Sequence, residues 1–143
     1  MKLQYKIFAG GMAFFILLGG ILSVSAATSV VNGSSYQTVR HSNIPSFGGI
    51  HYQTTYGTKK TDSGTWATFK ATYTEALLGN YAALINSAKE EKTGYTSLKS
   101  TAVLEKQYNT KKGNVYFSAV RSSKYEPSSS CDVVIKFSAN NLK

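Results

Sequence analysis

The chain has 143 residues, with 16 lysine or arginine residues against 7 aspartate or glutamate residues and a single cysteine. One cysteine cannot close an intramolecular disulfide, so these numbers exclude a small disulfide-stapled fold and leave stability to a hydrophobic core. The net charge of +9 predicts either attraction to anionic partners or a charge that only keeps the chain soluble. The lack of a long basic run or a recognisable reading helix argues against nucleic acid.

The N-terminus predicts export. The first six residues hold two lysines and no acidic residue, residues 7–22 carry no charge, and residues 23–27 are small or apolar. This order is typical of a secretory signal peptide over residues 1–27, with cleavage after Ala26 or Ala27. An uncleaved membrane anchor is the alternative, because a helix of about 20 apolar residues spans a bilayer. We therefore expect a secreted protein, which its positive charge can retain at the cell surface.

About 117 residues follow the cleavage site, which is enough for one compact domain. Residues 28–46 are rich in Ser, Thr and Asn and predict a flexible N-terminal segment with an edge strand near Tyr36. Residues 47–143 predict a single β-sandwich domain. The two glycines after Phe47 indicate a bulge or a close backbone approach where the chain enters its first central strand.

The clearest local pattern lies between residues 50 and 73, where two runs alternate with the period of a half-buried strand. The residues expected to face the core are Ile50, Tyr52, Thr54 and Tyr56 in the first run and Ala67, Phe69, Ala71 and Tyr73 in the second. The polar segment between them is bracketed by Gly57 and Gly64 and predicts a turn. We therefore expect the two runs to form an antiparallel hairpin.

Residues 74–88 fit two interpretations. Their apolar positions match one face of a helix, but Gly79 and Asn80 interrupt it, and residues 81–86 also match a short buried strand. We favour the strand, because strands are predicted on both sides of it.

The last third of the chain predicts three more strands. Residues 98–104 and 115–121 form a second expected pair, separated by a segment with turn-forming residues. A final strand over residues 131–137 alternates apolar with mostly polar residues. Six to eight short strands predict an all-β protein, a single antiparallel β-sandwich of jelly-roll or immunoglobulin-like type after the signal peptide helix, with a barrel as the alternative.

The sequence offers few groups for catalysis. His41 and His51 are its two histidines, and their spacing matches no zinc motif. Cys131 could act as a nucleophile with either histidine, but it shares its phase with Val133 and Ile135, which places the sulfur in the core. The scattered acidic residues do not suggest a catalytic carboxylate pair. We therefore expect no enzyme, no metal and no other cofactor.

Aromatic and basic side chains are better candidates, for binding. If Ala67 and Phe69 face the core, Trp66 and Lys70 point outward together and can contact a sugar ring, a lipid headgroup or a protein. Alternatively, a loop covers Trp66, and Tyr56 pairs within the hairpin. The predicted binding residues are Trp66, Lys70, Lys59, Lys60 and Tyr56.

Residues 44–73, together with the signal peptide, resemble small secreted Gram-positive proteins of uncharacterised function. The similarity rests on the Pro-x-Phe-Gly-Gly sequence that begins at Pro45, on the Tyr/Thr-rich run after it, and on the WATFK run that begins at Trp66. The resemblance implies export, a β-sandwich and no assigned chemistry. Some such proteins resemble bacteriocin-associated products, which implies an antimicrobial role as one outcome.

The function that these observations favour is non-catalytic binding at or near a bacterial cell envelope. The partner would be an anionic wall polymer, a glycan, a membrane surface or a protein. The first alternative is a bacteriocin-like toxin that enters target membranes through residues 74–88, and the second is a small secreted hydrolase that uses the histidines or Cys131. An enzyme inhibitor with a protruding loop at residues 57–64 or 122–130 is a third.

Overall fold

A computed structural model describes residues 29–143, so the predicted signal peptide and its cleavage site at Ala26 or Ala27 lie outside the described residues. Across that range no helix has the length and apolar character needed to cross a membrane. The nine strands are β1 (Ser29–Val31), β2 (Gln37–Ile44), β3 (Ile50–Lys59), β4 (Trp66–Thr74), β5 (Asn80–Ile85), β6 (Thr96–Ser97), β7 (Val103–Lys106), β8 (Val115–Ser122) and β9 (Cys131–Ser138).

The strands form two sheets that pack against each other. One sheet has five strands in the order β1-β3-β8-β5-β6, and the other has four in the order β2-β9-β4-β7. Every pairing is antiparallel except the short parallel pair of β1 with β3. The main core lies between the sheets and takes side chains from both, including Phe69, Phe137, Leu84 and Val120. The predicted all-β sandwich is confirmed.

Strand β9 lies inside the four-stranded sheet, between β2 and β4. Its buried positions are Cys131, Val133, Ile135 and Phe137, as the alternation predicted. Cys131 is therefore a buried free thiol, and it has no disulfide partner among the described residues.

The expected hairpin of β3 with β4 is wrong. Strand β3 pairs with β1 and β8, whereas β4 pairs with β7 and β9 in the other sheet. The segment after β3 crosses between the sheets, because the side-chain oxygen of Asn140 accepts hydrogen bonds from the amides of Thr61 and Asp62 at 2.8 and 3.0 Å. Gly57 lies within β3 instead of opening a turn. No larger residue fits at this position, because a Cβ there would stand 2.6 Å from Val115 Cγ1.

The first half of β3 also faces the opposite way from the prediction, and its register with β8 shifts between Gln53 and Thr58. His51 and Gln53 point into the sandwich, where they contact His41 and Ser118. Tyr52 is exposed, and Ile50 packs on a separate small cluster with Phe117 on the outside of the five-stranded sheet. Polar side chains that find partners inside can be buried, and aromatic side chains can then cover the outer face.

Strand β4 follows its predicted phase only in its first half. Ala67 and Phe69 are fully buried in the core, but the register with β9 shifts between Ala71 and Tyr73. This bulge turns Tyr73 outward, where it is exposed, although the sequence pattern placed it in the core.

Of the remaining sequence predictions, some are confirmed and others are wrong. Strand β5 confirms the strand interpretation of residues 81–86. Strands β7 and β8 lie in different sheets, so their predicted pairing is wrong. Strand β2 is an edge strand, as expected near Tyr36, but its buried Val39 and Ile44 belong to the core. The sandwich therefore includes part of the segment that we expected to be flexible.

Replacing Phe137 by alanine tests the core. Phe137 lies directly opposite Phe69 on the neighbouring strand, and both side chains are fully buried. We expect Phe137→Ala to lower the free energy of unfolding by about 3–5 kcal/mol, measured by urea denaturation. Thr38→Ala, at an exposed position of β2, is the control and should cost less than about 1 kcal/mol. Equal losses in the two variants would contradict the described packing.

Candidate functional site

The outer surface of the four-stranded sheet gathers basic and aromatic side chains. Trp66 on β4 lies directly opposite Lys106 on β7, and Lys70 on β4 lies directly opposite Lys136 on β9. Directly opposite residues of an antiparallel pair share a face, so these four side chains belong to one surface. We call this surface, together with Tyr36, the basic face.

The core of the sandwich determines this arrangement. Ala67 and Phe69 face inward and are fully buried, so their neighbours Trp66 and Lys70 must face outward. Trp66 is 42 % exposed, which agrees with the predicted orientation and not with the alternative of a covering loop.

The basic face holds unbalanced positive charge. Like charges directly opposite each other in a sheet are destabilising, by roughly 0.2–1 kcal/mol, yet Lys70 stands opposite Lys136. The nearest carboxylate on the outward positions of β9 is Asp132, which pairs with Arg40 at 3.0 Å. The Lys70 ammonium lies 5.0 Å from the centre of the Tyr36 ring, a cation–π contact that leaves its charge uncompensated.

The C-terminal residues cross part of this surface. Thr68, between Trp66 and Lys70, donates a hydrogen bond to the Asn140 carbonyl at 2.6 Å and accepts one from the Leu142 amide at 2.9 Å. Thr68 is fully buried as a result. The basic face therefore consists of two parts, an exposed part around Trp66 and Lys106 and a half-buried part around Lys70 and Lys136.

The other three predicted binding residues do not belong to the basic face. Lys59 and Tyr56 are exposed, but they lie on β3 in the five-stranded sheet. Lys60 is buried, because its ammonium pairs with the Asp62 carboxylate at 2.7 Å and donates to the Ala139 carbonyl at 3.2 Å. The prediction of Lys60 as a surface binding residue is therefore wrong.

Sequence reasoning missed Lys106, Lys136 and Tyr36. The alternation of the last strand already put Lys136 on the outward side, opposite in phase to Ile135 and Phe137. Its position beside Lys70 could not be predicted, because that requires knowing that β9 pairs with β4.

A second polar group lies between the sheets. The two histidine rings meet edge to face, with 2.9 Å between His41 Nδ1 and His51 Nδ1. His41 Nε2 lies 2.9 Å from Ser118 Oγ, which also accepts a hydrogen bond from Gln53 Nε2 at 3.0 Å. One ring must donate to the other, so the contact requires that at least one of the two is neutral.

This group resembles a serine with a base and an orienting partner, but its His41 and Ser118 are closed to solvent, whereas His51 is partly exposed. Burial and, to a smaller extent, the adjacent His51 together lower the pKa of His41 from 6.5 to about 3. Burial also lowers the pKa of His51, against an opposing effect of Asp132. Because His41 and Ser118 are both fully buried, their contact offers no reactive atom at the surface.

Cys131 stands apart from this group. Its sulfur donates to the Ser128 carbonyl at 3.7 Å, and burial raises the pKa of the thiol. Within residues 29–143 its polar contact is therefore a backbone carbonyl and not a histidine. No cluster of three or more His, Cys, Asp or Glu residues in this range could hold a metal ion.

A cleft of about 570 Å³ lies beside the start of β8. Its polar lining includes the side chains of Lys92, Lys111, Asn86, Asn109 and Asn114. None of the predicted binding residues lines it.

Comparisons of the chain with known protein families, with curated proteins and with solved structures found no match.

Because His41 is fully buried, we expect the protein to lose stability in mild acid. The unfolded chain takes up a proton on His41 near pH 6.5, whereas the folded chain cannot do so until about pH 3. The contribution of neutral His41 to the free energy of unfolding is therefore fully present above pH 6.5 and is lost as the pH drops toward 3. Between about pH 7 and pH 5, His41 alone should remove about 2 kcal/mol from the free energy of unfolding.

Urea denaturation of the wild-type chain and of His41→Gln at several pH values measures this effect. Glutamine keeps a hydrogen-bonding side chain but does not titrate, so the variant should lose about 2 kcal/mol less over the same range. The measurements stop near pH 5 so that carboxylates do not contribute to the change. The pKa values of Asp62, Glu126 and Asp132 are lowered in the folded chain, so these groups affect stability only in stronger acid. The same pH dependence in both proteins would exclude His41 as the cause.

Proposed function

We propose that this chain is a non-catalytic binding protein that attaches to anionic polymers of a bacterial envelope through the basic face. The observation that carries the proposal is the cross-strand arrangement of Lys70 opposite Lys136 and Trp66 opposite Lys106. Export of the chain, on which an envelope location depends, is a prediction from residues 1–27.

The lysine pair is suited to a bridging anion. Side chains directly opposite in an antiparallel sheet have Cβ atoms about 4.5–5.5 Å apart, so one phosphate or carboxylate can contact both ammonium groups. Binding such an anion would remove the repulsion between Lys70 and Lys136. Repeated anions along a polymer would add further contacts at Lys106.

Trp66 would supply the apolar part of the contact. Its ring is 42 % exposed next to Lys106, and an indole ring packs well on the apolar side of a sugar ring. A surface with two separate parts on one sheet fits an extended, repetitive ligand better than a compact one, because each part makes its own contact.

The toxin alternative receives less support from the same region. Residues 80–85 of the segment expected to enter membranes form β5 and are mostly buried within the sandwich, whereas Leu77 and Leu78 before them are exposed. Entry of residues 80–85 into lipid would require the core to open.

Neutralising the lysine pair tests the proposal. A lysine next to an anionic surface is worth about 1 kcal/mol, so Lys70→Gln with Lys136→Gln should weaken binding about thirtyfold at low salt. The measurement is cosedimentation with insoluble bacterial cell wall, before and after removal of its phosphate-bearing polymers. Binding of the wild-type chain should also disappear in about 1 M salt, where the screening length is about 3 Å.

The matched control is Lys59→Gln with Lys89→Gln, which removes the same charge from exposed positions in or near the five-stranded sheet. We expect the control to weaken binding only severalfold, through net charge. If both double variants lose affinity equally, attraction is a property of the total charge and the proposed site is wrong.

A further inference from the structure

Three loops meet at one end of the sandwich around Glu126. Its carboxylate is fully buried and accepts hydrogen bonds from the backbone amides of Leu78 at 2.7 Å, Leu77 at 3.2 Å and Ser128 at 3.2 Å. Its backbone carbonyl accepts another from the Phe47 amide at 2.9 Å. One residue therefore joins the loop before β3, the loop before β5 and the loop before β9.

The carboxylate of Glu126 is held in its charged form. Burial alone would raise its pKa, but the hydrogen bonds from the Leu78 and Leu77 amides and from Ser128 outweigh burial and lower the pKa. A charged acceptor makes stronger hydrogen bonds than a neutral one, so the three loops are fixed relative to one another.

These loops present large apolar side chains to solvent. Leu77 is 73 % exposed, Tyr125 is 68 %, Phe47 is 66 % and Leu78 is 52 %. We call these four side chains the apolar tip. Each of them belongs to Glu126's immediate neighbour in sequence or to a residue whose amide binds Glu126, so all four project from backbone that is held around Glu126.

The backbone at Phe47 is unusual for an exposed aromatic residue. Its φ of 52° lies in the left-handed region, which bulky side chains rarely adopt. Hydrogen bonds hold this conformation, because the Gly48 amide donates to both the Ser123 carbonyl and Ser122 Oγ at 2.9 Å. Strained backbone of this kind clusters at functional sites, so the outward side chain of Phe47 marks this loop as a candidate site.

We propose that the apolar tip inserts into the interfacial layer of a lipid bilayer. Large exposed apolar side chains gathered in one region mark a site of interaction with a protein or a membrane. These four project from three loop ends beside Lys124, which suits a bilayer interface, because apolar side chains can enter between lipids while a cation meets their phosphates. Leu and Phe suit the acyl boundary, and the Tyr125 hydroxyl can remain among the headgroups.

The charges around the tip agree with a lipid surface. The Lys124 ammonium lies 5.0 Å from the centre of the Tyr125 ring, so a cation stands beside the tip for a lipid phosphate. The nearby carboxylates are already bound: Glu75 accepts from the Tyr73 hydroxyl and the Asp132 amide, and Asp132 pairs with Arg40. This inference concerns a different surface and a different ligand from the basic face.

Vesicle binding tests the proposal with the chain that begins at Thr28. Phosphatidylcholine vesicles in about 1 M salt suppress attraction by charge, because the screening length is then about 3 Å. The wild-type chain should cosediment, and Leu77→Ser with Leu78→Ser should lower the partition coefficient on the order of thirtyfold, because two exposed leucines no longer leave water. The amides that bind Glu126 remain in this variant, so the unfolding midpoint should not change.

Two further variants separate the tip from other causes. Tyr108→Ser removes an aromatic side chain that is also exposed but lies outside the tip, and it should bind vesicles like the wild type. Lys70→Gln with Lys136→Gln should also bind normally here, even though it loses cell-wall binding. Equal loss in Tyr108→Ser would overturn the proposal.

Depth-dependent quenching distinguishes insertion from adhesion. Leu78→Trp in a Trp66→Phe background places the tryptophan at the tip, and lipids brominated on their acyl chains should quench its fluorescence. Failure of the wild-type chain to bind vesicles, or binding without quenching, would overturn the proposal. So would a dimer that the double leucine variant abolishes, because a second copy would then be the occupant of the tip.

Discussion

The packing of Phe69 against Phe137 across β4 and β9 is the contact on which the four-stranded sheet depends. Both rings are fully buried between the sheets, and they lie directly opposite each other. Once these rings face inward, alternation forces Lys70 and Lys136 outward onto one surface. The hydrophobic core therefore places the two charges side by side, and the sheet carries their repulsion as part of its folded state.

The five-stranded sheet distributes its side chains in an unexpected way. The inner side of β3 is polar and completes a hydrogen-bonded group of His41, His51, Gln53 and Ser118. Buried polar groups of this kind are tolerated only when their partners are present, since an unpaired one would cost the full loss of hydration. The same group links the two sheets, because His41 lies on β2 and its partners lie on β3 and β8. It makes the joint between the sheets sensitive to protonation.

The basic face and the apolar tip use different kinds of interaction. The basic face offers one indole ring and lysines that form no salt bridge within residues 29–143, which suits a charged and hydrated ligand. The loops around Glu126 offer apolar side chains that water solvates poorly, held outward by a buried charge with backbone donors. Both surfaces belong to one rigid framework, so a single molecule could contact a wall polymer and a lipid surface.

The sequence by itself determined the class of fold, most of the strands and the fate of Cys131, because alternation is a local property that pairs of neighbouring residues reveal. It also oriented Trp66 and Lys70 correctly from the phase of Ala67 and Phe69. Only the tertiary structure decided which strands pair, because hydrogen-bond ladders form between segments far apart in the chain. The tertiary structure alone placed Lys136 beside Lys70. It also decided that the polar side chains in the first half of β3 face inward, because their buried partners come from β2 and β8.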